Sequence, residues 1–284
     1  MNPYDEYDEA TLKHLQRCEL IILDDFLHIC DEYGLTYFSW GGTAIGALRH
    51  SGFIPWDDDI DLCLPSADLD TLIAVVRRDY ADKYEIMNAE TNINYPLPTT
   101  RMMLKGTQFC EETLKDVDCD LGIFLDLYAF DNVSDDEREY KCQAHDAWFN
   151  SHARLLLSIS DPVILKKGVA GGCIRVACTV ASGLLRLLRV SPQKLFEKER
   201  EARKRYQNRE TSRFAYLCDT SAFGCTYVKD EVFPLRAVEF EGRTLMFPKT
   251  IEKQLTDMYG DFMTLPPVES RKNHYPARLD FGPY

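Results

Sequence analysis

Between Asp8 and Glu32 the apolar residues Leu12, Leu15, Cys18, Ile22, Phe26 and Ile29 recur at three- and four-residue steps, the spacing of one buried helical face. Gly34 ends this helix, and Thr36-Tyr37-Phe38-Ser39-Trp40 predicts a short strand. Gly41-Gly42-Thr43 then turns into a short helix carrying Arg49 and His50. A second strand is expected from Ile60 to Leu64, closed by Pro65, with Ser66 capping a helix whose buried stripe is Leu69, Leu72, Ile73 and Val76. Further strand-like pieces fall at Arg101–Leu104 and Ile123–Tyr128. This mixture predicts an α/β (α+β) core, a sheet flanked by helices.

Beyond residue 130 the pattern changes. Ser134-Asp135-Asp136-Glu137 reads as a capping box, and Asp161-Pro162 and Ser191-Pro192 as two further helix starts. Residues 163–214 carry thirteen Lys and Arg against four Asp and Glu, although the whole chain has a net charge of −13. That asymmetry divides the chain into a mixed α/β core (1–150), a basic helical insertion (151–214) and a C-terminal part completing the core (215–284). In the last part a strand-like Ala237–Phe240, a turn at Glu241-Gly242 and a helix from Thr250 to Tyr259 are expected. Within 171–190 a helical projection gathers Arg175, Thr179, Ser182, Arg186 and Arg189 into one stripe and leaves the remainder mostly apolar. Such a helix suits a bilayer surface, with the basic run 194–213 behind it; a buried hairpin with a solvated basic flank is the other reading. Three arginines within this span argue against a membrane crossing.

Composition narrows the class further. An apolar fraction of 45% suits a globular protein, and the negative charge argues against a nucleic-acid partner, which needs cations in excess. The ten cysteines form no Cys-x-x-Cys pair, so reduced core thiols are expected. The acidic start of the chain lacks the apolar stretch of a secretory signal, so a cytoplasmic location is expected, at the inner membrane face if 171–213 docks there.

The run Trp56-Asp57-Asp58-Asp59-Ile60-Asp61 carries the candidate chemistry. Residues two apart on a strand share a face, so Asp59 and Asp61 are expected to point together. Their repulsion is relieved by a divalent ion, and hard oxygen ligands suit Mg²⁺ or Mn²⁺. Asp126 interrupts the apolar strand Ile123-Phe124-Leu125-Asp126-Leu127-Tyr128 and offers a third carboxylate. A calcium loop fails, because the glycine position holds Leu62 and the ninth position Pro65. A solvated acidic loop is the plainer alternative; Gly41 and Gly42 at a strand–helix junction, where backbone N–H groups can meet a phosphate, weigh against it. Arg49 is a candidate charge partner for such a phosphate.

The stretch Gly41-Gly42-Thr43-Ala44-Ile45-Gly46-Ala47-Leu48-Arg49-His50, continued by Gly52-Phe53-Ile54-Pro55-Trp56-Asp57-Asp58-Asp59-Ile60-Asp61, resembles the signature of the LicD family of phosphocholine transferases, which includes the fukutin-related transferases. Asp120-Leu121-Gly122-Ile123-Phe124-Leu125-Asp126, Phe233-Pro234-Leu235 with Phe240-Glu241-Gly242, and Tyr259-Gly260-Asp261 with Leu265-Pro266-Pro267 extend the likeness. Ala44-Ile45, where the family usually has larger aliphatics, and Trp40 depart from it away from the metal site. The resemblance implies a nucleotidyltransferase-like mixed sheet, with Asp59, Asp61 and Asp126 as catalytic metal ligands and Gly41, Gly42, Thr43, Arg49, Trp56, Asp58, Arg101, Lys105 and His274 around the substrate. It implies transfer of phosphocholine or a related phospho-alcohol from CDP-choline or another CDP-alcohol to a glycan or lipid-linked glycan, such as a cell-wall teichoic acid, with release of CMP. A nucleotidyltransferase acting on a small molecule and a catalytically silent binding protein are the rival readings.

Overall fold

The computed structural model describes residues 7–159, 168–271 and 273–284. The first helix, α1 (Glu9–Tyr33), is capped by Asp8, whose carboxylate accepts from the Thr11 N–H, and it ends on Gly34 in the left-handed region. Strand β1 is only Phe38–Ser39, shorter than the predicted five residues, because it pairs with two residues of β2 (Asp61–Pro65). Between them lies α2 (Gly41–His50). Then follow α3 (Ser66–Asp79), β3 (Tyr84–Met87), β4 (Thr100–Leu104), β5 (Gln108–Glu111) and the long β6 (Phe124–Val133). Three helices come next, α4 (Glu137–Ser158), α5 (Gly168–Leu187) and α6 (Pro192–Arg203). The chain closes with β7 (Arg213–Ala215), β8 (Thr226–Val228), α7 (Lys229–Val232), the hairpin β9 (Arg236–Phe240) and β10 (Arg243–Phe247), α8 (Ile251–Tyr259) and β11 (Pro276–Asp280).

The predicted mixed sheet is present. Its order is β1-β2-β6-β4-β3, with β2 and β6 parallel and the other neighbours antiparallel, and β7 and β8 extend it along the far half of β6. One large core joins Leu15, Ile22 and Phe26 of α1 to Leu62, Leu125 and Leu127 of the sheet, and Phe240, Leu245, Phe247 and Leu255 near the C-terminus belong to it. A second cluster is aromatic, with Phe38, Trp40, Phe130, Phe214 and Tyr216 packed mostly edge to face.

Two predicted caps move. Ser66 is the first residue of α3 and turns its hydroxyl to Asp131 and the Phe130 carbonyl, tying α3 to β6 instead of capping. At α4 the cap is Asp136, which accepts from the N–H groups of Arg138 and Glu139, while Ser134 bonds Glu139. Ser191 does cap α6. The Asp161-Pro162 start lies outside the described residues.

The basic run is not a free cationic surface. Arg200 pairs with Glu90, Arg203 with Asp131, Lys204 with Asp70, Arg205 with Asp146, Arg209 with Glu139 and Arg213 with Glu137. The charge asymmetry therefore reflects complementarity within the molecule, with most pairs at its surface and individually weak. One junction is different. Arg154 of α4 is 1% exposed; it donates to the Tyr95 and Leu97 carbonyls and to Glu199 of α6, which is equally enclosed.

Arg154→Met is expected to cost about 3–5 kcal/mol in urea denaturation, because it strands the Glu199 charge and two carbonyls. A loss below about 1 kcal/mol would show that the junction does not hold α4 to α6.

Candidate active site

The site forms where β2, β6 and β4 lie side by side. Asp61 stands opposite Asp126 in the parallel register of β2 and β6, and Arg101 opposite Asp126 across β4. Strand β2 begins at Asp61, so Asp59 lies on the loop before it rather than within a strand. Backbone bonds nevertheless hold the approach. The Asp126 N–H donates to the Ile60 carbonyl at 3.1 Å and the Asp57 N–H to Ile54 at 2.9 Å. Gln16 of α1 donates to the Asp57 carbonyl.

Gly41 and Gly42 start α2 directly against the acidic loop. A Cβ on Gly41 would lie 2.8 Å from Asp61 Oδ2, and one on Gly42 would lie 2.9 Å from Asp57 Oδ2. Gly41 also has φ +56°, a conformation that side chains disfavour. The start of α2 thus receives the chain's own carboxylates, an arrangement that its dipole favours. Thr43 accepts from the Asp61 N–H at 2.8 Å, which fixes β2 rather than presenting a hydroxyl to substrate.

Each remaining candidate has a definite placement. Arg101 is 2% exposed, forms a two-pronged pair with Glu111 at 2.7 and 3.1 Å, and donates to Asp126 Oδ1 at 3.2 Å. Burial opposes its charge, but Glu111, Tyr95 and Asp126 together outweigh that and raise its pKa, so the side chain is engaged with Glu111 and Asp126. Thr99 donates to the same Asp126 oxygen at 3.0 Å. Lys105 lies beyond the far end of β4 and binds the Ala81 carbonyl, and Arg49, at the opposite end of α2 from the glycines, binds the Phe262 carbonyl. Neither meets the carboxylates directly. Asp58 is fully buried, with its oxygens taken by the Tyr7 hydroxyl and the His274 N–H, so it is closed to substrate. Through it, the first helix and the C-terminal segment are clamped together.

His274 is brought to the site. Its Nδ1 lies 3.3 Å from Asp59 and 3.5 Å from Asp58, and although burial opposes its proton, Asp59 and Asp58 raise its pKa well above the ordinary value. Trp56 is buried beneath the Arg271 guanidinium, 4.1 Å from the ring centroid, and lines a cavity of about 410 Å³ with Tyr7, Lys13, His50 and Asn273. The cavity borders the acidic loop, yet Asp59, Asp61 and Asp126 are not in its wall. Trp40 is core; its ring meets Tyr128 and Phe130, and its N–H donates to Tyr227.

Burial, followed by the neighbouring aspartates, holds Asp57 and Asp61 well above the ordinary carboxylate range. Asp59 is pushed up to about 6, burial acting first, with His274 opposing. Asp57 Oδ2 and Asp61 Oδ1 are buried without a hydrogen-bond partner. Orphaned carboxylate oxygens among like charges fit a hard divalent cation. Among the described residues, Asp58, Asp59 and His274 bring donor atoms within 4.8 Å of one another. Asp58 already accepts from Tyr7 and His274, whereas Asp57 and Asp61 each keep an unpartnered oxygen.

Residue-type reasoning overlooked Glu19, Thr99, Glu111, Tyr128 and Tyr259. Glu19 is 2% exposed and its Oε2 lacks a partner; its place on the apolar stripe of α1, four residues after Leu15, was the readable signal. Tyr259 reaches the Gly41–Asp61 contact, and its pKa rises through burial and then Asp61 and Asp59.

A mixed sheet that sets carboxylates on adjacent parallel strands beside a Gly-Gly helix start defines a nucleotidyltransferase-type domain. Residues 34–156 match the LicD/FKTN/FKRP nucleotidyltransferase domain. The chain is 28% identical over 279 residues to the lipopolysaccharide cholinephosphotransferase LicD of Haemophilus influenzae, covering 94% of this chain and 97% of that protein. Residues 34–156 thus carry the LicD-family domain that the signature implied.

A raised aspartate pKa means that the folded protein holds more protons than the unfolded chain between the ordinary value and the raised one. Stability therefore falls as pH rises through that window, and the raised His274 acts in the same direction. Without metal, the thermal midpoint is expected to be lower near pH 8 than this cluster permits near pH 5, and Mg²⁺ is expected to raise it more at about pH 8. An equal or larger Mg²⁺ effect at about pH 5 would contradict the assignment of the cluster.

Proposed function

We propose that the chain is a metal-dependent phosphotransferase that moves phosphocholine, or a related phospho-alcohol, from a CDP-linked donor to a glycan hydroxyl and releases CMP. The observation that carries this reading is the placement of Asp61 opposite Asp126 on parallel strands, beside buried carboxylate oxygens that lack any partner. Similarity to a protein named for cholinephosphate transfer supports the choice of transferred group.

Asp59, Asp61 and Asp126 would hold Mg²⁺ or Mn²⁺. When bound, such an ion offsets the negative charge of the donor diphosphate and of the carboxylates themselves. Asp126 is anchored through Oδ1 by Thr99 and Arg101, which leaves Oδ2 to orient the acceptor hydroxyl and take its proton. The acceptor oxygen forms a bond to the phosphorus of the phospho-alcohol, and the bond from that phosphorus to the oxygen of CMP breaks. Positioning by a preformed, buried site supplies most of the rate. The cavity beside Trp56 would take part of the donor, with Lys13 and Arg271 against Glu9 in its wall and the Trp56 ring already in contact with a cation.

Incubation with CDP-choline, CDP-ethanolamine, CDP-glycerol or CDP-ribitol and a glycan acceptor, followed by phosphorus NMR, is expected to show Mg²⁺-dependent CMP release from one donor. Asp61→Asn is expected to lower that rate by about 100-fold or more while keeping the fold. Release of pyrophosphate from a nucleoside triphosphate instead, or an Asp61→Asn enzyme with wild-type turnover, would overturn the reading.

A further inference from the structure

Helix α5 is amphipathic in the reverse of the usual sense for a surface helix. Two residues of its polar stripe are turned to the protein. Ser182 is 2% exposed, and Arg186 donates through two nitrogens to the Leu157 carbonyl at the end of α4. At 100° per residue, Gly171, Cys178, Ser182 and Leu185 share that inner side, and these are the buried or half-buried positions. The opposite side carries Val176, Val180, Leu184 and Leu187, from 52% to 77% exposed, and Leu188 just beyond the helix is 72% exposed. Over Ala170–Leu187 the mean hydropathy is 1.3, yet only 11% of the stretch is buried. A soluble surface rarely leaves so long an apolar stripe uncovered.

The charges around the helix indicate what covers it. The cations from Arg200 to Arg213 are matched by carboxylates of the same chain. Arg189, Lys194 and Lys198, at the leucine-rich end of α5, are exposed and meet no carboxylate among the described residues. Apolar side chains turned outward, with uncommitted cations at one end, fit acyl chains and anionic headgroups. We propose that α5 docks in the plane of an anionic lipid bilayer, with Val176, Val180, Leu184, Leu187 and Leu188 inserted and Arg189, Lys194 and Lys198 on the headgroup phosphates. Arg186 stays on the end of α4 and Ser182 stays buried, so the helix lies along the surface and does not cross. Of the sequence expectation, the bilayer-surface helix is kept, while the cations from Arg200 to Arg213 are removed from the membrane contact. The proposal stands independently of the donor chemistry.

The test is co-sedimentation of the full chain with vesicles of phosphatidylcholine, alone or mixed with phosphatidylglycerol. The wild type is expected to sediment with the mixed vesicles and more weakly with the neutral ones. The triple variant Val180→Glu, Leu184→Glu, Leu187→Glu is expected to lose binding by about tenfold or more, with the circular dichroism spectrum and thermal midpoint of the wild type, since these side chains touch little of the protein. Equal binding of wild type and variant, or a wild type left in the supernatant of mixed vesicles, would overturn the proposal. So would a wild-type dimer that the substitutions render monomeric without any lipid binding, which would assign the face to a second copy. Resistance to alkaline carbonate extraction would overturn in-plane docking in favour of a crossing.

Discussion

Like-charge repulsion inside a small volume is the constraint around which this fold is arranged. Asp57, Asp59, Asp61 and Asp126 converge where β2 enters the sheet beside β6, and Glu19 reaches toward the same group from α1. Against them stand His274 and the Arg101 guanidinium, and the latter is already paired with Glu111. Burial makes ionisation costly, and mutual proximity makes it costlier. Asp57, Asp59 and Asp61 therefore hold their protons above the ordinary carboxylate range. Under the proposed function, a divalent ion would relieve that repulsion and bring the donor phosphates with it.

The surrounding structure can be understood as support for that cluster. Gly41 lets Asp61 approach the start of α2, and Thr43 holds the Asp61 backbone. Arg101 and Thr99 fix one oxygen of Asp126 and leave the other available. Asp58 does the opposite of its neighbour Asp59; it is consumed by Tyr7 and His274 and joins α1 to the C-terminal segment behind the site. The C-terminal elements share the large core with the first strands, so the site is built from residues hundreds of positions apart.

What could be read beforehand follows from the range of each interaction. The stripe of α1, the two glycines and the lone aspartate in an apolar strand are local patterns, and they located the sheet and the acidic loop. Pairing across the sheet is not local. That Arg101 belongs to Glu111, that Lys105 lies beyond the far end of its strand, and that Arg49 reaches Phe262 depend on tertiary contacts that residue type does not encode. Ser66 and Ser134 look like caps because a serine before a helix usually is one; here Asp131 and Glu139 compete for their hydroxyls. The basic run shows the same limit on a larger scale, since its net charge was plain and its partners were not.

Whether Asp59, Asp61 and Asp126 form a divalent-cation site is tested most directly by the position of Mn²⁺ from its anomalous scattering in crystals grown with the metal. A peak is expected among these three aspartates, lost in Asp61→Asn. A peak confined to Asp58 and His274, or no peak within reach of Asp61 and Asp126 at saturating Mn²⁺, would contradict it.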